Sequence, residues 1–206
     1  MMPIARCVKS GFRFILVDFY GFGLSPHPDY PLTVRDYAQG VIEILNREGI
    51  EKADFVGHSF GGRVAIEIAY CYPDIVNKLV LCNSAGILPK RRLKYYTKLW
   101  FYKIRKRIGL DVSKCGSKEF RVLDPVMRKT FINVVNYDQE ALLREIYADT
   151  FIVWGRKDKT TPIYMAKKFV RYMRNSTLII YNNAGHFSYA DELKDFSKKL
   201  KEFLSK

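Results

Sequence analysis

Short apolar runs rich in β-branched and aromatic residues alternate along this chain with stretches of helical period. That alternation limits the fold more than any other feature. Phe12–Asp18 (FRFILVD) reads as a buried strand. Leu32–Gly49 reads as a helix with Thr33 at its N-cap and Asp36 three residues on. Ala38, Val41, Ile42 and Leu45 share one of its faces, and Gly49 stops it. Ala53–Gly57 is a strand, and Phe60–Tyr72 is a helix ended by Pro73. Lys78–Cys82, Thr150–Trp154 and Thr177–Tyr181 are three further strands. The second of these leads to a helix with Pro162 as its first position. Leu193, Phe196, Leu200 and Phe203 step by three and four in a closing amphipathic helix. Strands alternating with helices imply an α/β fold with a parallel sheet and flanking helices. Between Ile87 and Asp149 the rhythm stops and no strand signal is present. The expected organisation is a core formed by residues 1–86 and 150–206, with residues 87–149 inserted as a helical cap.

The chain is long enough for one domain with such an insertion, at 206 residues, 48% apolar and 27% charged. That balance excludes a disordered chain, a collagen and a coiled coil. No apolar run reaches the roughly 18 residues of a membrane helix, and the start MMPIARCVKSGFRF lacks a secretory pattern. Cys7, Cys71, Cys82 and Cys115 are far apart with no C-x-x-C spacing, which argues against disulfides and zinc and fits a cytoplasmic protein.

Gly57-His58-Ser59-Phe60-Gly61 is a G-x-S-x-G motif. Short motifs of common residues recur by chance; its context, strand before and helix after, is what makes a nucleophile elbow. There the serine hydroxyl stands exposed at the C-terminal edge of the sheet. A serine is a poor nucleophile at neutral pH and needs a base. The chain has three histidines. His58 adjoins Ser59 but points elsewhere on such a turn, and His27 lies in a proline-rich loop, SPHPDY. His186 follows the last strand in NNAGHFS, where a loop can bring it over the sheet edge. Its acid partner is Asp158, at the end of another strand in WGRKDKTTP; Asp149 and Asp191 are weaker candidates, off the strand-end loops. The order Ser59, Asp158, His186 is that of one triad-bearing fold among several.

The chain resembles an α/β-hydrolase of the serine branch with a helical cap. DFYGFGLS resembles the family's D-x-x-G-x-G-x-S, and VGHSFGGR its elbow. LVLCNSAG, IVWGRKDKTTP and NNAGHF resemble the strand ends that follow, in order, across nearly the whole chain from Arg13 onward. The resemblance implies that Ser59 is the nucleophile, His186 the base and Asp158 the acid. It implies an oxyanion-hole N–H from Phe60, and no metal or organic cofactor. Serine in place of aspartate argues against epoxide hydrolases and haloalkane dehalogenases. The expected function is hydrolysis of an ester, or of a related acyl or C–C bond, in a small molecule. The alternative is a catalytically impaired remnant or fragment, retained for binding or for nothing.

That alternative arises because the family normally carries three strands ahead of the one at Phe12–Asp18. About eleven residues stand there in this sequence, and it contains no His-Gly pair to mark the second oxyanion donor. One such donor is worth roughly 10²–10³ in rate. The resemblance places the third strand between Phe12–Asp18 and Ala53–Gly57, so a slot is expected between them. Each buried unpaired backbone group there costs on the order of 1–3 kcal/mol. Either the Phe12–Asp18 strand moves to pair with the elbow strand, or the sequence is part of a longer chain, which is the favoured expectation.

The net charge of +14 is concentrated rather than spread. Nine basic residues and no acidic one lie between Pro89 and Ile108. Leu93, Tyr96, Trp100, Ile104 and Ile108 recur there at helical spacing. Three readings stand: a solvated lid helix, a lid lining a pocket for anionic acyl or aromatic substrates, and a basic amphipathic helix on anionic membrane. Nothing resembles a nucleic-acid-binding module.

Overall fold

The computed structural model describes residues 1–8, 11–90, 107 and 118–206. Its centre is a four-stranded sheet in which every described pair is parallel: β1 (Ala53–His58), β2 (Val76–Cys82), β3 (Asp149–Gly155) and β4 (Ser176–Tyr181), in that spatial order. Val56 lies opposite Val80, Val80 opposite Phe151, and Ile152 opposite Leu178.

Both faces of this sheet are covered, and the strand sequences explain why. A strand points alternate side chains to opposite faces, and β2 is apolar at both sets. Leu79 and Leu81 enter one core with Ile42 and Leu45 of helix α2 (Val34–Arg47), Ile66 and Ile68 of helix α3 (Phe60–Cys71), and Trp154. Val80 and Cys82 enter the other, with Ile4 and Val8 of helix α1 (Met2–Val8) and Phe151. The central strands therefore read as continuous apolar runs, as buried parallel strands do. Thr33 and Asp36 close a reciprocal capping box at the start of α2, which fixes the helix register where the sequence placed it.

Between β2 and β3 the structure describes two helices, α4 (Lys118–Val122) and α5 (Pro125–Asn136), and a 3₁₀ turn at Leu142–Glu145. Leu143 and Ile146 are fully buried in the main core, and Gln139 N–H donates to Gly86 O at 2.8 Å. The tail of this segment thus rests against the body. The apolar stripe expected at Leu93, Tyr96, Trp100, Ile104 and Ile108 lies outside the described residues, as does most of the basic run. After β3 come α6 (Ile163–Tyr172), with Pro162 one position earlier than expected, at the N-cap, then β4, the short helix α7 (Ser188–Asp191) and α8 (Leu193–Leu204).

One expectation is corrected. Phe12–Asp18 forms no strand, and Phe12–Val17 makes no backbone–backbone hydrogen bond to any described residue. The segment has strand composition, but a strand exists only where a second backbone pairs with it. It does not pair with β1, and the two line a common cleft.

Two glycines separate packing from propensity. A Cβ on Gly155 would overlap the carbonyl oxygens of Ala184 and Gly185. Gly40, inside α2, has nothing within 4 Å of that position. Gly155→Ala is expected to lower stability by about 1–3 kcal/mol through overpacking, and Gly40→Ala to raise it by about 0.5–1 kcal/mol through helix propensity. Urea unfolding midpoints of the two variants, moving in opposite directions, check this.

Candidate active site

Parallel strands bring their C-terminal ends to one edge of the sheet, and the polar residues just beyond those ends meet there. Ser59 follows β1, Asn83 follows β2, Asp158 lies beyond β3 and His186 beyond β4.

Ser59 sits between the strand and α3 at φ 51°, ψ −112°, a conformation that costs a non-glycine residue free energy. Three backbone hydrogen bonds hold it: Ser59 N–H to Cys82 O at 3.2 Å, and Arg63 and Ala85 N–H to Ser59 O at 3.2 and 3.0 Å. The turn is tight where glycine stands at two positions. A Cβ on Gly57 would come 2.6 Å from Gly61 O, and one on Gly62 would overlap the Ser84 side chain. Gly61, the motif's last glycine, has room, its closest neighbour being Phe19 at 4.0 Å. The Phe60 N–H opens α3 with no backbone partner among the described residues.

The structure brings Ser59, His186 and Asp158 into one chain of contacts. His186 Nε2 lies 3.1 Å from Ser59 Oγ, and His186 Nδ1 lies 2.8 Å from Asp158 Oδ2. The Asp158 side chain is fully buried. Burial pushes its carboxyl upward. Hydrogen bonds from His186, from the Thr161 hydroxyl and N–H and from Asn83 outweigh that, and hold it well below the usual carboxylate range. Thr160 N–H adds another at 2.7 Å. An ionised carboxylate only accepts, so His186 Nδ1 carries the ring proton. In the neutral ring Nε2 is then the lone-pair nitrogen, placed to accept from the Ser59 hydroxyl.

The other titratable candidates fall elsewhere. His27 pairs with Asp124 at 3.0 Å in an exposed loop. Asp149 begins β3, at the opposite end of the strand from Asp158. Asp191 is a support: it accepts Gly185 N–H at 2.9 Å, just before His186. Asp158 caps no helix; it closes the turn at 158–161, ahead of the α6 N-cap Pro162.

Sequence reasoning missed Asn83 and Ser188, and it set His58 aside. Asn83 is fully buried at φ 43°. Its amide donates to Asp158 Oδ2 at 2.5 Å and to Gly185 O at 3.3 Å, and its carbonyl accepts from Ser188 Oγ. The one signal was a polar residue immediately after the LVLC strand. His58 points away from Ser59 but toward His186: its Nε2–H donates to His186 O at 2.9 Å, and the two rings lie 4.8 Å apart. Phe187 and Tyr189 enclose the same ring at 4.9 and 5.0 Å. Burial, only partly offset by that hydrogen bond, lowers the His58 pKa from 6.5 to about 4, so the ring is neutral at pH 7.

Known proteins share this arrangement of chain. The 2-hydroxy-6-oxo-6-phenylhexa-2,4-dienoate hydrolase of Comamonas testosteroni is 26% identical over 98% of this chain and 80% of its own length. The AB hydrolase superfamily protein YisY of Bacillus subtilis is 28% identical over 95% and 82%. Among solved structures, an esterase from Exiguobacterium antarcticum superposes with a TM-score of 0.79 at 20% identity, covering 100% of this chain and 86% of that one. The meta-cleavage product hydrolase of Pseudomonas fluorescens gives 0.76 at 20% identity, over 99% and 84%. At these identities the structural likeness establishes the fold. The sequence profile of the alpha/beta hydrolase family matches residues 5–197, and the chain therefore belongs to that family of enzymes.

Proposed function

We propose that this enzyme is a serine hydrolase acting on a small acyl compound, an ester or a C–C bond beside a carbonyl. One observation supports this above the others: the unbroken run of contacts Ser59 Oγ–His186 Nε2 and His186 Nδ1–Asp158 Oδ2 at the C-terminal edge of the sheet. In this reading Ser59 Oγ attacks the carbonyl carbon while its proton passes to His186 Nε2. Asp158 stabilises the imidazolium and keeps its orientation. The carbonyl oxygen becomes an oxyanion facing the Phe60 N–H. Collapse breaks the bond to the leaving group, which takes the proton from His186. Water, deprotonated by the same nitrogen, then releases the acid and restores Ser59.

The substrate class follows from chemistry and kinship together. The names of two relatives specify hydrolases of a dienoate, a carboxylate, and the chain carries a net charge of +14. An anionic acyl substrate fits both.

His58 acts here as a positioning residue, since it touches the base and not the reacting atoms. Its N–H on the His186 carbonyl fixes the loop that carries the imidazole.

A fluorophosphonate probe is expected to label Ser59 in the native chain and to leave Ser59→Ala unlabelled. A folded native chain that stays unmodified overturns the reading. Paired assays with an aryl ester and a 2-hydroxy-6-oxodienoate then separate ester from C–C cleavage. Asp158→Asn presents an N–H to His186 Nδ1 and forces the other tautomer, so kcat is expected to fall by about 10³–10⁴, with KM little changed.

The His58 pKa predicts a stability effect with a definite sign. Its folded value of about 4 lies below the unfolded 6.5, so the unfolded chain takes up the proton first as pH falls. Stability from this group is full above pH 6.5 and declines toward pH 4. His58→Phe removes that decline. Urea midpoints of the two proteins at neutral and acid pH should show a shallower acid slope in the variant.

A further inference from the structure

The loop that leaves β2 carries none of Ser59, Asp158 and His186, yet it bonds to the loops that carry all three. Ala85 N–H donates to Ser59 O at 3.0 Å. Asn83 Nδ2 donates to Asp158 Oδ2 at 2.5 Å and to Gly185 O, the carbonyl that precedes His186, at 3.3 Å. Asn83 N–H donates in turn to Val153 O of β3 at 2.9 Å, so the ladder between the two strands holds its backbone.

Five described donors meet the Asp158 carboxylate. Thr160 N–H and Thr161 N–H hold Oδ1 at 2.7 and 3.0 Å. His186 Nδ1, the Thr161 hydroxyl and Asn83 Nδ2 converge on Oδ2. The threonines belong to the same turn as Asp158, so a shift of that turn carries donors and acceptor together. They fix the carboxylate within its own loop and not against His186, which stands on another. Lys157 ties the two loop backbones through its N–H on Ala184 O at 3.0 Å, but that bond does not reach the carboxylate. Asn83 does. Rooted in the sheet, it bonds both the carboxylate and the chain leading into His186.

The surroundings call for an amide at this position. Asp158 Oδ2 and Gly185 O only accept and require N–H groups, whereas Ser188 Oγ donates and requires an oxygen. A primary amide supplies two donors and a carbonyl in one plane. The backbone stands at φ 43°, in the left-handed region that asparagine tolerates better than most side-chain-bearing residues. The residue is fully buried, so water does not stand in for these partners.

We infer that Asn83 is a positioning residue for the acid of the triad: it sets the Asp158 carboxylate against His186 by referring both loops to the end of β2. This role rests on the serine-hydrolase reading and adds to it a residue that touches no reacting atom. A hydrogen bond weakens steeply as its donor and acceptor fall out of line. A misplacement of about 1 Å in a catalytic constellation costs up to roughly 10²-fold in rate.

The test uses the full chain. Asn83→Gly keeps the backbone conformation, which glycine adopts freely, and deletes the amide. With an aryl ester its kcat is expected to fall by roughly tenfold to a hundredfold at unchanged KM. In an Asp158→Asn background the same substitution should cost less than about twofold, because the carboxylate it positions is gone. Thr161→Val keeps the side-chain shape and removes a donor to the same oxygen from within the Asp158 turn; it should cost less than Asn83→Gly. Proton NMR on the nitrogen-15 histidine-labelled chain reads the geometry without turnover. The His186 Nδ1–H resonance, far downfield while bonded to a carboxylate, should move upfield in Asn83→Gly. Native kcat in Asn83→Gly, an undiminished loss in the Asp158→Asn background, a larger loss in Thr161→Val, or an unmoved His186 resonance overturns the inference. If Asn83→Gly does not fold, the Asn83 side-chain amide decides: its resonance should shift when Asp158→Asn removes the charge, and an amide that does not respond overturns the inference. A native chain that hydrolyses no ester yet shows the downfield His186 N–H fails the hydrolase reading alone, and the NMR comparison still judges Asn83.

Discussion

The level, parallel pairing of four strands is the constraint on which the site depends. Gly57 lies opposite Leu81, Cys82 opposite Val153, and Gly155 opposite Tyr181. Their C-terminal ends therefore finish along one edge, and the loops beyond them share one space. A slip of a single residue would move a loop by about 3.3 Å and turn its strand's side chains to the other face. That exceeds the tolerance of a hydrogen bond. Ser59, His186 and Asp158 meet because the ladder holds three separate segments in step, not because any one segment is shaped for the purpose.

The polar network at that edge shows how a buried carboxylate can remain charged. Asp158 loses water, and it recovers hydrogen bonds from Thr160, Thr161, Asn83 and His186. Asn83 is the junction: it joins Asp158 to Ser188 and to Gly185, which lies beside His186 in the chain. The loop carrying the imidazole is thus held from three sides, by Asn83, by Asp191 and by the His58 ring. The strained backbone at Ser59 persists because the Cys82, Arg63 and Ala85 contacts over-determine it.

Legibility followed the range of the physics. The capping box at Thr33 and Asp36, the apolar period of α2, and the double-sided apolar runs of β2 and β3 are local patterns, and the sequence reading placed them within about two residues. Phe12–Asp18 carried the same local pattern and misled, because its composition says nothing about whether a partner backbone lies alongside. Asn83 and Ser188 were invisible for a related reason. Each is an ordinary polar residue until a distant segment folds against it.

The sequence by itself determined the alternation of strands and helices, the turn at Ser59, and the candidates Ser59, Asp158 and His186 at strand ends, since propensity, capping and motif spacing act within a few residues. Only the tertiary structure decided which backbone groups found partners. It set His58 on the His186 carbonyl and Asn83 on Asp158 and, among the described residues, gave Phe12–Asp18 no strand partner. Hydrogen bonds between segments tens of residues apart depend on where the whole chain places them, and no local pattern contains that information.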